Sequence, residues 1–582
     1  MKEKLLKILK KHKGTMILQI ILLLINMYLL TYPAKIIGKI VDLLYNIEQN
    51  KSEILLNTYW LLGISFVLLI VRMWWKYYDS YNQRYVEKEL KDSLFERTMK
   101  IKLSKLQNIK NGELMSYFVK DVNEIRRLVY SSLSHGTRII GIFFITAFVM
   151  ARDVDPKLTL LTLCPIIITS FVIVKLKKYV EENFKKAQKS FTELSEYVQE
   201  STDSIRTTKA YSCEGEQLKD FIRKNRKVKN SNIATEVHSG LIKTSINICF
   251  GLCYGISILY GSKLVLENQI TIGDFVAFNG YIGLFVGPVT WLPTLISRYK
   301  RAQISYKRLA TVFELEREKI NIKPNKNIQN NLKGNIKINN LTYNYPGYMD
   351  KVLNNINIEI KEGETLGIIG TVGSGKTTLM NLLLRLYHVE RNKISIDGKD
   401  INDIPIEELR NNICYITQDN FLFSTTLRDN ISLFRDDFKE SDVKESTKNA
   451  MIYDDIKEMP KGINTVIGER GTDLSGGQKQ RVVISRAFLQ ASNIVIFDDT
   501  FSALDNKTEE KVLENVRHLT EGKTCIIISN RISDIKNSDK IIVLEKGNIV
   551  EAGTHEQLLE NKELYYEFFM QQSSKMEETI LA

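Results

Sequence analysis

Apolar residues dominate the first half of the chain in long runs that are separated by lysine-rich and acidic segments. A helix needs about twenty apolar residues to cross a bilayer, and six runs approach that length. The six predicted transmembrane helices lie near residues 16–40, 54–75, 133–151, 158–174, 241–260 and 275–296. The first run is too long for a secretory signal peptide and no small-residue cleavage site follows it, so we interpret it as a membrane span.

Two long polar segments, 76–130 and 175–240, follow the second and fourth predicted spans. Both keep the apolar period of a helix and neither contains a proline, so we expect helices that continue well beyond the membrane. Lysine and arginine are concentrated at the N-terminus and where these segments leave the spans. The positive-inside rule therefore places both chain termini in the cytoplasm, and we expect a multi-pass protein of a prokaryotic plasma membrane.

The pattern changes near residue 334. Short β-prone runs such as IKINNLTYNY then alternate with turns and helical stretches, which is typical of an α/β nucleotide-binding domain. We predict a transmembrane domain over 1–315, a linker over 316–333 and a nucleotide-binding domain over 334–582. The expected fold class is a membrane all-α domain of six helices with long cytoplasmic helical extensions, followed by an α/β P-loop domain.

A glycine-rich loop lies between a predicted strand and a predicted helix in the segment LGIIGTVGSGKTT. The backbone N–H groups of such a loop bind phosphate, its lysine contacts the β- and γ-phosphates, and the next hydroxyl binds Mg²⁺. The sequence thus predicts an ATP site with Mg²⁺ as cofactor and Thr377 as one metal ligand. The predicted ATP-binding residues of the loop are Gly370, Thr371, Val372, Gly373, Ser374, Gly375, Lys376, Thr377 and Thr378.

A second glycine-rich turn, LSGGQ, precedes the helical run KQRVVISRAFLQ. The N-terminus of a helix attracts anions, so this turn is a second candidate phosphate site. One chain cannot easily fold both loops onto one nucleotide. The residues of this second loop, called the signature loop below, are Leu474, Ser475, Gly476, Gly477 and Gln478.

The order GTVGSGKTT, LSGGQ and IVIFDD, behind six predicted spans, resembles an ABC transporter half-molecule of the exporter type, with the type IV fold. The resemblance covers nearly the whole chain. It implies an ATPase that drives translocation across the lipid bilayer. It also implies that ATP is held between the phosphate loop of one subunit and the signature loop of another, so this chain needs a second half-transporter as its partner.

The resemblance also implies roles for single residues. Tyr345 resembles the aromatic residue that stacks on adenine, Asp498 the aspartate that holds Mg²⁺, and Gln418 the glutamine that reaches Mg²⁺ and couples to the membrane domain. The loop that crosses the dimer interface consists of Ser502, Ala503, Leu504 and Asp505. Looser matches begin at Gly112 and Ile205, in regions that resemble those contacting the ATP domains.

Two residues depart from the family pattern at the γ-phosphate. The family places a glutamate after the Mg²⁺ aspartate, whereas this chain has Asp499, which is one methylene shorter. Asn530 stands where the family has a histidine that touches the γ-phosphate, and an asparagine cannot titrate. With Gln418, these are the predicted catalytic residues, and together they indicate a site kept for binding and weakened for hydrolysis. By resemblance to the degenerate-site subunit of heterodimeric multidrug exporters, we expect a heterodimer, with a homodimer as the alternative.

The net charge of +13 permits either nucleic acid or a membrane surface as a partner. The lysines flank apolar runs, which favours the membrane, and the six spans leave little basic surface for nucleic acid. The six cysteines lack the spacing of a metal site or a disulfide framework, so we interpret them as free thiols.

The cargo is less clearly defined by the sequence. The sixth span is apolar, rich in aromatic residues and interrupted by prolines, which favours a hydrophobic or amphipathic small compound. A peptide or lipid exporter and an ATP-binding sensor are the alternatives. Arg138 either binds cargo or faces a water-filled cavity, and Arg72 either binds or reaches the membrane edge. Packing and pocket lining both remain open for the aromatic residues Phe275, Phe278, Tyr281, Phe285 and Trp291.

Overall fold

The computed structural model describes residues 2–107, 109–318, 332–347, 350–490 and 492–581. The chain divides into two units, the first formed by Met1–Met99 with Ile109–Leu315 and the second by Lys100–Asn108 with Glu316–Ala582. The predicted domain boundaries remain predictions. The predicted linker, 316–333, lies largely outside the described residues.

The first unit is helical throughout its described residues. Its helices are Lys2–Lys11, Lys13–Leu29, Tyr32–Leu43, Ile47–Met99, Asn111–Ser116, Val122–Tyr130, Thr137–Asp153, Pro156–Asp203, Ile205–Ala210, Glu214–Leu266, Ile272–Leu284 and Val286–Glu314. Leu44–Asn46 forms a 3-10 turn, and Tyr117–Asp121 and Ser131–Gly136 form π-helical turns. The predicted third span, 133–151, therefore begins in a π-helical turn and continues in a regular helix.

Five helical stretches among the described residues are long and apolar enough to cross a membrane: Lys13–Met99, Gly112–Asp153, Pro156–Asp203, Glu214–Leu266 and Ile272–Glu314. The first of them is 87 residues long and contains two of the six predicted spans. It folds back on itself, because Thr15 donates to Asn82 and Gln19 donates to Asp79, each across 2.8 Å. The five stretches are thus compatible with six antiparallel spans.

The helix Ile47–Met99 buries only one narrow side between residues 51 and 74, where every third or fourth side chain is half-buried. The other sides expose large apolar groups, including those of Trp60, Phe66 and Met73. Exposed apolar surface of this extent occurs where lipid or another subunit covers it. This helix therefore has the surface expected of a membrane span.

Three helices extend beyond any membrane, and the first of them is Ile47–Met99, with 53 residues. Pro156–Asp203 has 48 residues and Glu214–Leu266 has 53, and they pack along each other. At 1.5 Å per residue they measure roughly 70 and 80 Å, more than twice the thickness of about 30 Å for a hydrocarbon core. The predicted helical extensions are therefore present.

Glycine allows one very close helix contact in the first unit, between Tyr32–Leu43 and Ile272–Leu284. A Cβ on Gly273 would lie 2.1 Å from the carbonyl oxygen of Gly38. Asp42 accepts hydrogen bonds from the Gly273 N–H at 2.6 Å and from the neighbouring Thr271 hydroxyl at 2.7 Å. Small residues at such crossings let helix backbones approach closely within a membrane.

The second unit contains two sheets in its described residues. The strands are β1 (Ile336–Tyr343), β2 (Leu353–Ile360), β3 (Thr365–Gly370), β4 (Ile394–Ile396), β5 (Lys399–Asp400), β6 (Ile413–Ile416), β7 (Ile494–Asp498), β8 (Thr524–Ile528), β9 (Lys540–Glu545) and β10 (Asn548–Gly553). The helices are Leu103–Leu106, Lys376–Leu383, Ile406–Asn412, Leu427–Ser432, Glu440–Asn449, Tyr453–Glu458, Gly476–Leu489, Asn506–Thr520, Ile532–Ile535, His555–Asn561 and Leu564–Leu581, with 3-10 turns at Gly462–Asn464 and Glu469–Gly471.

The first sheet has the antiparallel order β2-β1-β4-β5, and the second has the order β10-β9-β3-β8-β7-β6. The strands from β9 to β6 run parallel. Strands β7 and β8 are buried along their whole length, as parallel strands covered on both faces are. The predicted fold class is confirmed, since a helical domain with apolar spans precedes an α/β domain.

Candidate functional site

A cleft at the carboxyl edge of the parallel sheet brings together most of the predicted ATP site. Its walls are formed by Val352, Val372, Gly373, Ser374, Gly375, Lys376, Thr377, Thr378, Gln418, Asp498, Asp499, Ile528, Ser529 and Asn530. The ends of β3, β7 and β8 meet here because parallel strands present their carboxyl ends at one edge of a sheet. Asp499 and Asn530, the two departures from the family pattern, therefore face the same cleft as the phosphate loop.

The phosphate loop is shaped by two glycines with a left-handed backbone, Gly373 at φ +83° and Gly375 at φ +102°. A Cβ on Gly375 would also lie 2.9 Å from a neighbouring carbonyl oxygen, so only glycine fits this position without a shift. Lys376 Nζ donates to the carbonyl oxygens of Gly370 at 2.6 Å and Thr371 at 3.1 Å. The Lys376 side chain is thus hydrogen-bonded to the backbone of its own loop.

The residues beside the loop fit a nucleotide phosphate and Mg²⁺. The Ser374 hydroxyl is buried and has no hydrogen-bond partner among the described residues. Asp498 is 2% exposed, and burial raises the pKa of its carboxyl group, while hydrogen bonds from Tyr415 and Thr377 oppose that rise. The Tyr415 hydroxyl donates across 2.9 Å. Carboxylate, hydroxyl and amide oxygens, the last from Gln418, are the hard ligands that Mg²⁺ prefers.

Lys376 and the two aspartates form the charged centre of the cleft. Burial lowers the pKa of Lys376, and the carboxylates of Asp498 and Asp499 oppose that shift. Two carboxylates therefore face one ammonium group. A divalent cation brought in with a nucleotide would find net negative charge where the strand β7 ends.

Asp499 has a left-handed backbone, with φ +47°. Its N–H donates to the carbonyl oxygen of Ile528 at 2.8 Å, and its Oδ2 accepts from Gln418 Nε2 at 3.3 Å. Aspartate and asparagine occupy the left-handed region more readily than longer side chains do. The Asp499 carboxylate is therefore carried by a residue with a constrained backbone and is hydrogen-bonded to Gln418.

Asn530 is exposed and lies in a loop that packs on a buried polar cluster. Ser529 Oγ donates to Asp534 Oδ2 at 2.5 Å and accepts from the Arg531 N–H at 2.9 Å. The Arg531 guanidinium pairs with Glu509. The loop is thus fixed on one side by residues that come from two different helices.

Because the carboxyl groups of Glu509 and Asp534 are neighbours in this cluster, we expect the stability of the protein to depend on pH. Burial, together with the neighbouring Asp534, raises the pKa of Glu509 from 4.5 to about 7. An acid whose pKa is raised by folding stabilises the fold at low pH, and that contribution is lost as the pH rises from about 4.5 to about 7. We expect the unfolding temperature to fall over this range, and Glu509→Gln to remove much of the fall.

Differential scanning fluorimetry of the full chain across this pH range checks the expectation. Glu510→Gln, on the exposed neighbour, is the matched control and should keep the dependence of the unfolding temperature on pH. An equal slope in Glu509→Gln and in the unmodified protein would contradict it.

The signature loop caps the helix Gly476–Leu489 and lies outside the cleft. Ser475 Oγ accepts from the Gln478 N–H at 3.2 Å, and Gln478 Oε1 accepts from the Ser475 N–H at 3.0 Å, which makes a reciprocal capping box. None of the five signature residues, all of which the structure describes, lines the cleft. Ser475 and Gly476 are exposed, and the capping box uses the Ser475 N–H but not the Gly476 N–H, so the start of this helix can accept an anion.

The predicted interface loop connects the cleft to the signature helix. Ser502 Oγ donates to the carbonyl oxygen of Asp499 at 3.2 Å, and the Ala503 N–H donates to Gln480 Oε1 at 3.0 Å. The last two residues of the loop are a buried leucine and an aspartate that caps the next helix. A shift of this loop would therefore move both the cleft and the helix behind the signature loop.

Tyr345, the predicted adenine-stacking residue, lies beside the helix that follows the phosphate loop. Its hydroxyl is 3.0 Å from Thr378 Oγ1, and its ring packs edge-to-face on Tyr387 with 5.1 Å between ring centroids. The Tyr387 hydroxyl donates to Gln107 Oε1 at 2.6 Å. A chain of contacts thus connects the phosphate-loop helix to Gln107, which precedes it by almost half the chain.

The segment of the N-terminal half that joins the second unit lies before Gly112. Ile101 pairs with Arg317, and the Glu318 N–H donates to the Lys100 carbonyl oxygen at 2.7 Å. The regions that begin at Gly112 and Ile205 belong to the first unit, and their contact with the ATP domains remains a prediction. The pairing is between backbones, so side-chain pattern gave no signal for it.

The aromatic residues of the sixth span divide into two groups. Phe278, Tyr281 and Phe285 are fully buried in the core of the first unit, where they pack. Trp291 is 40% exposed and stacks on His135, with 4.1 Å between ring centroids. Phe275 is partly buried against the same core. Pocket lining therefore stays open for Phe275 and Trp291 and not for the three buried residues.

Comparisons with known proteins agree with this architecture. Residues 16–289 match the family pattern described as "ABC transporter transmembrane region", and residues 353–502 match the one described as "ABC transporter". The protein therefore combines a membrane permease with an ATP-binding domain. It belongs to the ABC transporter family and is an exporter half-molecule.

Two curated bacterial relatives match along nearly the whole chain. The "Probable multidrug resistance ABC transporter ATP-binding/permease protein YheI" of Bacillus subtilis (strain 168) is 30% identical over 563 residues, 95% of this chain and 94% of its own. The "Multidrug resistance-like ATP-binding protein MdlA" of Buchnera aphidicola subsp. Baizongia pistaciae is 30% identical over 555 residues, 94% of each chain.

A solved structure shares the fold. The "Structure of a bacterial Atm1-family ABC exporter with ATP bound" superposes with a TM-score of 0.77 over 97% of this chain and 98% of that chain, at 24% identity. The chain therefore has the exporter fold, and its apolar helices and family matches make it a multi-pass membrane protein.

Proposed function

We propose that the chain is one half of a heterodimeric exporter that moves hydrophobic or amphipathic compounds out of the cell, driven by ATP. The relatives named for multidrug resistance support this class of cargo. The exporter would lie in the cell membrane with both termini in the cytoplasm, as the lysine distribution indicates.

One observation carries the asymmetric part of the proposal. Asp499 and Asn530 line the same cleft as Asp498 and the phosphate-loop residues from Val372 to Thr378. The residues expected to bind phosphate and Mg²⁺ therefore keep the family pattern, while both residues expected next to the γ-phosphate depart from it. The signature loop is intact and lies outside the cleft, so it would complete the partner's site.

Different residues of the cleft would bind phosphate, Mg²⁺ and the attacking water. Lys376 and the loop N–H groups bind phosphate, and Thr377, Asp498 and Gln418 would hold Mg²⁺. Bound Mg²⁺ supplies neutralising charge on the phosphate oxygens. Asp499 would orient the attacking water, and its short side chain leaves the carboxylate about 1 Å from the place a glutamate reaches, which costs about a hundredfold in rate.

Two bound nucleotides would close the ATP-binding domains of the pair and shift the spans from inward-facing to outward-facing. This is a population shift, since ATP binds the closed state better than the open state. Hydrolysis at the partner's site would reset the pair, while this chain's site would hold its nucleotide longer.

ATP turnover tests the asymmetry directly. We expect the purified chain alone to hydrolyse ATP slowly, and the chain with a co-encoded second half-transporter to hydrolyse it at least tenfold faster. Brisk turnover by the lone chain that Asp499→Asn abolishes would sink the slow-site proposal. The pair should also accumulate cargo in inside-out vesicles only with ATP, whereas a sensor would not.

A further inference from the structure

The C-terminal helix Leu564–Leu581 holds the loop that carries Asn530. Gln572 Nε2 donates to the carbonyl oxygen of Asn530 at 2.9 Å. Gln572 Oε1 accepts from the N–H of Ile532 at 2.9 Å. One amide side chain therefore uses its donor and its acceptor on two residues of the same loop.

The first turns of this helix pack against the unit and so fix the position of Gln572. Tyr565 is fully buried, and its N–H donates to Glu551 Oε1 at 2.9 Å. The Tyr565 hydroxyl is 2.8 Å from Nδ1 of His555, and Phe568 packs against the core of the unit. Gln572 lies seven residues after Tyr565, about two turns later on the same side of the helix.

The loop is therefore held between two supports. The buried side chains of Ser529 and Asp534, with the Arg531 N–H, fix it from inside the unit, and Gln572 fixes it from the C-terminal helix. Asn530 lines the cleft next to Ser529, and it carries an amide group at the end of a short side chain. Its reach is short, so its backbone position determines where the amide lies.

We propose that Gln572 is a positioning residue that sets the distance between the Asn530 amide and the γ-phosphate, and so determines how well this site distinguishes ATP from ADP. The proposal rests on the proposed function, which places Asn530 next to the γ-phosphate, where its amide can donate a hydrogen bond. Gln572 itself touches no nucleotide and acts through the backbone of Asn530.

Affinities for ATP and ADP test the proposal in the purified full-length chain with Mg²⁺, measured by competition against a fluorescent nucleotide. Gln572→Ala should weaken ATP binding about fivefold, which is the effect of losing the hydrogen bond from the Asn530 amide to the γ-phosphate. ADP has no γ-phosphate, so its affinity should stay within about twofold. Gln572→Glu keeps the acceptor for Ile532 and loses the donor to Asn530, so it should lower the ATP-to-ADP affinity ratio as well. Ser573→Ala, whose hydroxyl bonds only within its own helix among the described contacts, is the matched control and should change neither affinity.

Asn530→Ala separates failure of this inference from failure of the proposed function. If Asn530→Ala leaves the ATP-to-ADP affinity ratio unchanged, Asn530 does not contact the γ-phosphate, and the role of Gln572 falls together with the place that the proposed function gives to Asn530. If Asn530→Ala lowers the ratio and Gln572→Ala does not, only the role of Gln572 is overturned. An equal loss of ATP and ADP affinity in Gln572→Ala would also overturn it, because a general structural defect affects both nucleotides.

Discussion

The double substitution Asp499→Glu with Asn530→His should raise ATP turnover by this chain's phosphate-loop site by about a hundredfold. The glutamate adds the methylene that brings the carboxylate to the attacking water, and the histidine restores an imidazole beside the γ-phosphate. Both residues line the cleft that contains Lys376 and Asp498, so the rest of the binding site is already in place. ATP turnover of the purified double variant, with and without the partner, measures the effect.

The single variants should show that the two changes depend on each other. Asp499→Glu alone should gain less than a hundredfold, because Asn530 still lacks an imidazole beside the γ-phosphate. The single and double variants share the strain of a longer side chain at φ +47°, which costs about 1–2 kcal/mol. Asn530→His alone should gain little, because Asp499 would still lie short of the water. The variant Asp499→Asn with Asn530→His keeps the size of the aspartate without its charge and is the inactive control. Preserved ATP affinity with unchanged turnover in the double variant would contradict the assignment.

The motif residues could be predicted because each motif is continuous in the sequence. A phosphate loop places its glycines, Lys376 and Thr377 by local backbone geometry, and the sequence order of the loop is the spatial order. The strand ending at Asp498 was also predictable, since a buried parallel strand is a short continuous apolar run. The same local reasoning covers the capping box of the signature loop.

Residues that reach the site through tertiary contacts could not be predicted. Tyr415 bonds Asp498 only because β6 pairs with β7 in a particular register. Gln572 reaches the Asn530 loop only because the last helix packs back on the unit. In the membrane half, the aromatic pattern of the sixth span did not show which face is buried, and Phe278 and Tyr281 pack in the core.

We expect Gly273→Ala to destabilise the protein so strongly that little of it remains folded after extraction with detergent. The added Cβ would lie 2.1 Å from the carbonyl oxygen of Gly38 and 2.4 Å from Asp42 Oδ2. The first atom belongs to the backbone of a packed helix, and the carboxylate holds the Gly273 N–H and the Thr271 hydroxyl. Neither can move without separating the two helices or breaking these bonds, and overpacking of this kind costs about 1–3 kcal/mol or more.

Gly255→Ala is the matched control, because its Cβ would meet nothing within 4 Å on a helix of the same unit. Alanine is the better helix former by about 1 kcal/mol, so this variant should be as stable as the unmodified protein or slightly more stable. Size-exclusion chromatography after heating in detergent gives the apparent melting temperature of each variant. Equal melting temperatures for the two variants would show that the two helices can move apart at Gly38 without a loss of stability. A large loss confined to Gly273→Ala would show that their close approach, fastened by Asp42, holds this pair of spans together.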